Sequence, residues 1–461
     1  MITTLVRRVL PIVSLAVLLG ALVRNQSRPP LSGDGYFHLR MGRELLDGWS
    51  IADPGNLGPF DTADWVSTQW LAQLAMAGVE DLAGLAGVMW AAGFLVLCLA
   101  LATFVCCRLV SAPLPAAFAT ILVCSAASPG LSARPQVFSY LFVLVVTVAW
   151  LRTMRDLEPR WWLVLVAWVW APLHGMWPLA GVIGVVAIVG ILLDGRADRD
   201  RILRLVLIPV LSSVIVLATP LGLRVYGSLF AVGSRAEYFA EWGPPDFGEP
   251  YAIALLGMFA IVLLVALKRR PLPWGEVLVI GMAAALAVSS ARTTTVAAVM
   301  LAPLLAGALQ QFVPRAPGIE RREAAALALV LAACAVILVP VVQSRAEADV
   351  APAWLDRRLD AQPAGTKVLN DWDTGAYFLW RHPQLALVMH GYGDVFTNDE
   401  LRRNTDILRL NPGWDDEVRS LDADLALVDP DTSLGYALTN DPGWRVVEAD
   451  DEFALLAPTT D

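Results

Sequence analysis

The stretch Gly33–Gly48, GDGYFHLRMGRELLDG, sets Asp34, His38, Arg40, Arg43 and Glu44 directly behind an apolar run that ends near Val23. Ionisable groups are costly beside a membrane span unless they are paired or put to use. So many in one short segment fit an enzyme acting on a lipid-borne substrate at the membrane surface.

The rest of the chain supplies the membrane. Its 461 residues are 57% hydrophobic and only 17% charged, with a mean hydropathy of +0.58. That composition excludes a soluble globular protein. The net charge of -9 makes nucleic acid an improbable partner. Cys98, Cys106, Cys107, Cys124 and Cys334 all lie in apolar runs, so neither a disulfide framework nor a metal site is expected. Arg7 and Arg8 precede an apolar stretch without a small-residue cleavage site, which reads as an uncleaved first span.

Runs long enough to cross a bilayer, roughly 17–25 residues, number about eleven. They fall near 5–23, 85–107, 113–130, 136–152, 161–177, 178–194, 203–220, 251–267, 275–290, 295–312 and 324–342; the pair over 161–194 is tight, and its break at Pro172, His174 and Pro178 reads alternatively as a kinked or re-entrant feature. With the N-terminus inside, Arg7/Arg8, Arg108, the loops at 152–160 and 195–204, Lys268–Arg270 and the loop at 315–323 all become cytoplasmic, as the positive-inside rule requires. The opposite side receives a long first loop, 24–84, the turns at Arg134, Trp177 and Arg292, a loop over 221–250, and everything after about residue 344.

The expected organisation is a transmembrane domain over 1–343, including the exterior loop 24–84, and an extracytoplasmic α/β domain over 344–461. In the latter, KVLN, LALVMHG, DLALVD, WRVVEAD and FALLAP read as strands. Helices are expected over 375–380, 399–410 and 414–421. A segment of that size has enough chain to fold alone.

Asp34, between two glycines that permit close approach, reads as a general base for an acceptor hydroxyl or as a helix N-cap. His38 is expected on the same face, to orient Asp34, bind phosphate or ligate a metal, or else to satisfy itself with water. Arg134 in SARPQVFSY and Arg292 in SSARTTT end apolar runs on the exterior side. A planar guanidinium there suits a phosphate, and snorkelling toward headgroups is the alternative. His174, in APLHGMWP, is expensive in an apolar run unless it faces a cavity. Glu241, beside Trp242, reads as a second carboxylate with an aromatic sugar platform, or as part of a solvated acidic loop with Glu237, Asp246 and Glu249. No metal-ligand set is evident.

These motifs resemble the bacterial polytopic GT-C class of glycosyltransferases. The resemblance rests on Asp34, His38, Leu39, Gly42, Asp53, Trp65, Gln69, Trp70 and Leu71. It continues through ARPQVFSY, the LHG at Leu173–Gly175, PLGLRVY, AEWGPPDF, NDWDTGAYFLW and PGWRVVEADD. It departs where many members carry two adjacent acids and this chain has Asp34 alone, and where Gln69 stands for a usual Glu.

The resemblance implies an integral glycosyltransferase of the bacterial plasma membrane. It would take a sugar donor carried on a polyprenyl phosphate and serve a glycan, lipid or protein acceptor outside the membrane. Transfer would invert the anomeric centre, with Asp34 as base and the arginines on the phosphate. A transporter or lipid flippase and a non-catalytic cell-envelope scaffold are the competing readings. Asp34, His38, Arg134, His174 and Arg292 are expected to line one cavity.

Overall fold

The computed structural model describes residues 2–25, 31, 33–314, 318–347 and 350–459. Residues 26–30 and 32 of the expected first loop, and 315–317 of the expected basic loop, lie outside the described residues.

The fold is mostly helical. Among the described residues, six helices are long and apolar enough to cross a membrane: Trp70–Arg108, Gln136–Asp156, Arg199–Ala218, Pro250–Lys268, Ala291–Phe312 and Arg321–Ala346. Val9–Asn25, Pro113–Ala126, Leu179–Leu193 and Trp274–Ser289 are apolar but shorter. The expected span at 161–177 holds a helix of only nine residues, Trp162–Trp170. At about 1.5 Å per residue it is too short to cross a hydrocarbon core of about 30 Å. Trp70–Arg108 is two helices joined at Gly84, where φ is +65°, a conformation that an L side chain resists.

The chain divides into two compact units. One comprises Met1–Pro30, Leu82–Leu223 and Phe239–Ala346; the other comprises Leu31–Asp81, Arg224–Tyr238 and Glu347–Asp461. In the first, Thr294–Leu309 is buried along nearly its whole length. It packs against Pro113–Ala126, Gln136–Asp156, Pro250–Lys268 and Trp274–Ser289. The outer helices expose large apolar side chains such as Leu165, Leu264 and Val336, the pattern of a bundle solvated by lipid. Arg108 and Glu323 join two of these helices through hydrogen bonds of 2.7 and 2.9 Å.

The second unit holds a five-stranded sheet: β1 (Lys367–Asn370), β2 (Ala386–Leu387), β3 (Leu425–Val428), β4 (Trp444–Ala449) and β5 (Ala454–Pro458). The order is β2-β1-β3-β5-β4. β2, β1 and β3 run parallel, and β5 is antiparallel to both of its neighbours. Each strand lies where an apolar run marks it. The helices Ala353–Asp360 and Ser433–Thr439 are additions to the expected set.

The loop assigned above to the transmembrane segment is part of this unit. Phe60 joins Leu369, Met389, Ala426 and Leu456 in its apolar core. Thr62 Oγ1 donates to Glu400 Oε1 at 2.6 Å, and the Ala63 amide donates to the Val395 carbonyl at 3.0 Å. The helix Gly33–Leu46 packs on Trp372–Arg381. Arg43 makes two hydrogen bonds to Glu80, of 2.8 and 2.7 Å, and Arg40 Nη1 donates to the Leu379 carbonyl at 3.1 Å. Three of the polar groups that drew attention to this stretch, Arg40, Arg43 and Glu44, thus serve to fasten a helix.

Candidate functional site

In the first unit the chain brings three of the expected site residues together. Arg134 sits in the turn before Gln136–Asp156, held by Gln136 Nε2, which donates to the Gly130 carbonyl at 3.2 Å. Arg292 sits in the short turn Ala291–Thr293, whose start is capped by Ser290. Glu241 lies in the turn Ala240–Trp242, tied to Arg292's turn by the Ala291 amide, which donates to the Gly243 carbonyl at 2.9 Å. Arg134 Nη1 reaches Glu241 Oε2 at 3.1 Å, and Arg292 Nη1 reaches Oε1 at 2.8 Å. The Arg292 guanidinium also rests 5.1 Å from the centre of the Trp242 ring, an attractive cation–π geometry. Two guanidiniums thus share one carboxylate, on side chains 22% and 20% exposed. Planar guanidiniums so arranged suit the oxygens of a phosphate.

His174 belongs to the same unit, but its hydrogen bonds go elsewhere. Trp170 Nε1 donates to Ser139 Oγ at 2.7 Å, and Ser139 Oγ lies 2.7 Å from His174 Nδ1. The Met176 amide also donates to Nδ1, at 3.4 Å. Nδ1 is therefore assigned as the acceptor and Nε2 as the protonated nitrogen. The imidazole pins the bend between Trp162–Trp170 and Leu179–Leu193. Ser139, in the ARPQVFSY stretch, is the missed partner. Its spacing of 35 residues carries no sequence signal.

Asp34 and His38 belong to the second unit. Asp34 stands in the first turn of Gly33–Leu46. Its Oδ1 lies 3.7 Å from the place a Cβ on Gly391 would take. His38 is 3% exposed. Its Nδ1 lies 3.2 Å from Gln73 Nε2, and Gln73 Oε1 accepts from Ser67. With the amide so oriented, His38 also carries its proton on Nε2. Gly42 makes this pairing possible, because a Cβ there would collide with the Gln73 carbonyl.

The ring of Phe37 stacks on Tyr392 at 3.7 Å, 9° from parallel. The Tyr392 phenol is fully buried and held well above its ordinary pKa. Burial is the chief cause, followed by the Asp394 carboxylate that accepts its hydrogen bond and by the charge of Asp34. Gln73 closes the W-x-x-x-x-W-L-A-Q stretch that begins at Trp65, a motif position to which the sequence assigned no role, and Tyr392 and Asp394 were not singled out from sequence. Among the described residues, no group of three or more His, Cys, Asp or Glu side chains is placed to hold a metal ion.

Neither a family model nor a curated protein matches the sequence. Solved structures do. The oligosaccharyltransferase of Archaeoglobus fulgidus, in its apo form, superposes with a TM-score of 0.59 at 11% identity, over 91% of this chain and 69% of that one. ArnT from Cupriavidus metallidurans, bound to undecaprenyl phosphate, gives 0.55 at 15% identity, over 97% of both chains. The mycobacterial arabinofuranosyltransferase AftD gives 0.50 at 15% identity, over 98% of this chain and 42% of its own. These neighbours are GT-C glycosyltransferases, and the chain shares their multi-pass membrane fold.

Proposed function

We propose that this chain, which has the GT-C fold, is a membrane glycosyltransferase. It takes a sugar from a polyprenyl-phosphate carrier and transfers it to an extracytoplasmic acceptor with inversion. The observation that carries the reading is the Arg134–Glu241–Arg292 cluster in a chain of this fold. One of the neighbours, ArnT, is itself bound to undecaprenyl phosphate, and two guanidiniums offer such a phosphate its counter-charge.

In the proposed step the acceptor oxygen attacks the anomeric carbon while Asp34 takes its proton. The bond from that carbon to the phosphate oxygen breaks, and Arg134 and Arg292 hold the departing phosphate. His38 orients Asp34, and His174 stiffens the bend in the bundle. The topology that accompanies this reading has the N-terminus in the cytoplasm and the segment after residue 344 outside the plasma membrane.

The test is transfer from polyprenyl-phosphate sugars in reconstituted membranes. General-base assistance contributes roughly 10²–10⁴-fold, so Asp34→Asn should lose about that much kcat while the donor still binds. A wild-type chain that transfers no sugar from any such donor, or an Asp34→Asn chain at full rate, overturns the proposal.

A further inference from the structure

Within the first unit the end of Gln136–Asp156 is tied to the start of Arg199–Ala218. Arg196 Nη2 donates to the Arg155 carbonyl at 2.9 Å, and Arg201 Nη1 donates to the Leu157 carbonyl at 3.2 Å. Over residues 152–160 and 194–204, seven arginines meet five carboxylates, so this end of the bundle is positive. Arg160 pairs with Asp156 and Arg201 with Glu158. Asp198 accepts from the Arg201 amide at 2.8 Å. Among the described residues, the side chains of Arg155, Arg199 and Arg204 are exposed and enter no ion pair or hydrogen bond. Asp200 is the exposed carboxylate beside them.

Arg199, Leu203, Leu207, Val210 and Val214 follow one another at steps of three and four residues, so they share one helix face. The four apolar side chains are 54%, 47%, 49% and 54% exposed, on a helix long and apolar enough to cross a membrane. A cation at the head of a bare hydrocarbon stripe matches the outline of a phospholipid. The planar guanidinium fork fits the free oxygens of a phosphodiester. The surplus of arginines then selects the headgroup. A zwitterionic head brings a cation of its own against them, whereas a net-negative head neutralises them. We infer that this face binds an anionic phospholipid, its phosphate on Arg155, Arg199 and Arg204 and its chains along Leu203, Leu207, Val210 and Val214. The inference stands apart from the transferase reading, because it uses the opposite end of Gln136–Asp156 from Arg134.

The test is native mass spectrometry of the full chain, released from detergent micelles that contain equimolar palmitoyl-oleoyl phosphatidylglycerol and phosphatidylcholine. Phosphatidylglycerol should be retained about fivefold or more over phosphatidylcholine. Arg155→Gln, Arg199→Gln and Arg204→Gln should each lower its retention about fivefold, the effect of one basic side chain near a headgroup, and leave phosphatidylcholine as it was. These side chains bond to nothing in the protein, so the variants keep the fold. Arg321→Gln removes an exposed cation at the start of another membrane helix. It controls for charge alone and should retain phosphatidylglycerol as the wild type does. Equal retention of the two lipids, unchanged retention in all three variants, or the same loss in Arg321→Gln overturns the inference. Displacement of phosphatidylglycerol by millimolar inorganic phosphate overturns it too, since the site would then be one for a free anion.

Discussion

Arg43 grips Glu80 with two hydrogen bonds, of 2.8 and 2.7 Å, across 37 residues of chain. Trp380 Nε1 adds a third to the same carboxylate at 2.9 Å, and the Arg43 guanidinium lies 5.2 Å from the centre of the Trp380 ring. Glu80 is thus the point at which Gly33–Leu46, the start of Trp70–Arg108 and Trp372–Arg381 are fastened together. Its side chain is 7% exposed, whereas that of Arg43 is 39% exposed, so screening discounts the ionic part.

Glu80→Ala should therefore destabilise the second unit by about 2 kcal/mol, the scale of hydrogen bonds to a charged group. Limited proteolysis of the full chain, followed at sites after residue 350, measures this. A digestion pattern unchanged from wild type would contradict it.

Arg292→Lys keeps a positive charge and discards the planar fork. If the cluster binds phosphate, this variant should raise KM for a lipid-linked donor roughly tenfold with a smaller change in kcat, because one charge-assisted hydrogen bond contributes about 1.5–3 kcal/mol. An unaltered KM would remove the phosphate from this site.

Arg108 and Glu323 form an ion pair with side chains 2% and 14% exposed. Removing one partner strands a charge, so Glu323→Ala should cost about 3–5 kcal/mol of stability. The pair Arg108→Met with Glu323→Leu should recover most of that loss. Thermal unfolding in detergent distinguishes the outcomes, and a double variant no better than the single would refute the argument.

The raised phenol of Tyr392 has a pH signature. The folded chain keeps a proton that the unfolded chain releases near its ordinary pKa of about 10. Its contribution is fully present below that value and fades as pH rises through it and upward. The unfolding midpoint should fall as pH rises above about 10, and less steeply in Tyr392→Phe. Equal slopes would count against it.

Local patterns were legible in the sequence. The strands at Lys367–Asn370 and Leu425–Val428 fall inside KVLN and DLALVD, since short apolar runs bounded by polar turns have few other uses. The membrane helices follow from composition. Helices such as Ala353–Asp360, with four charged residues in AWLDRRLD, escaped because one short amphipathic turn resembles a loop. Long-range pairing was not legible at all. The partner of Arg40 lies 339 residues away, and no local pattern distinguishes a guanidinium that fastens a helix from one that greets a substrate. Arg134, Glu241 and Arg292 stood out singly because each ends or flanks an apolar run, but their pairing across 107 and 51 residues did not.

The discontinuity of the second unit also fixes an order of assembly. Gly33–Leu46 is made early, yet the rings that cover Tyr36 and Phe37, those of Tyr377, Trp380 and Tyr392, arrive more than three hundred residues later. Loop-closure entropy over that distance must be met before any of these contacts forms. The nascent chain thus carries an uncovered aromatic helix through the synthesis of every intervening hydrophobic segment. Its completion waits for the segment from Tyr377 to Tyr392. A chain cut before Tyr377 leaves the rings of Tyr36 and Phe37 uncovered, an exposed apolar patch where the whole chain has a buried one.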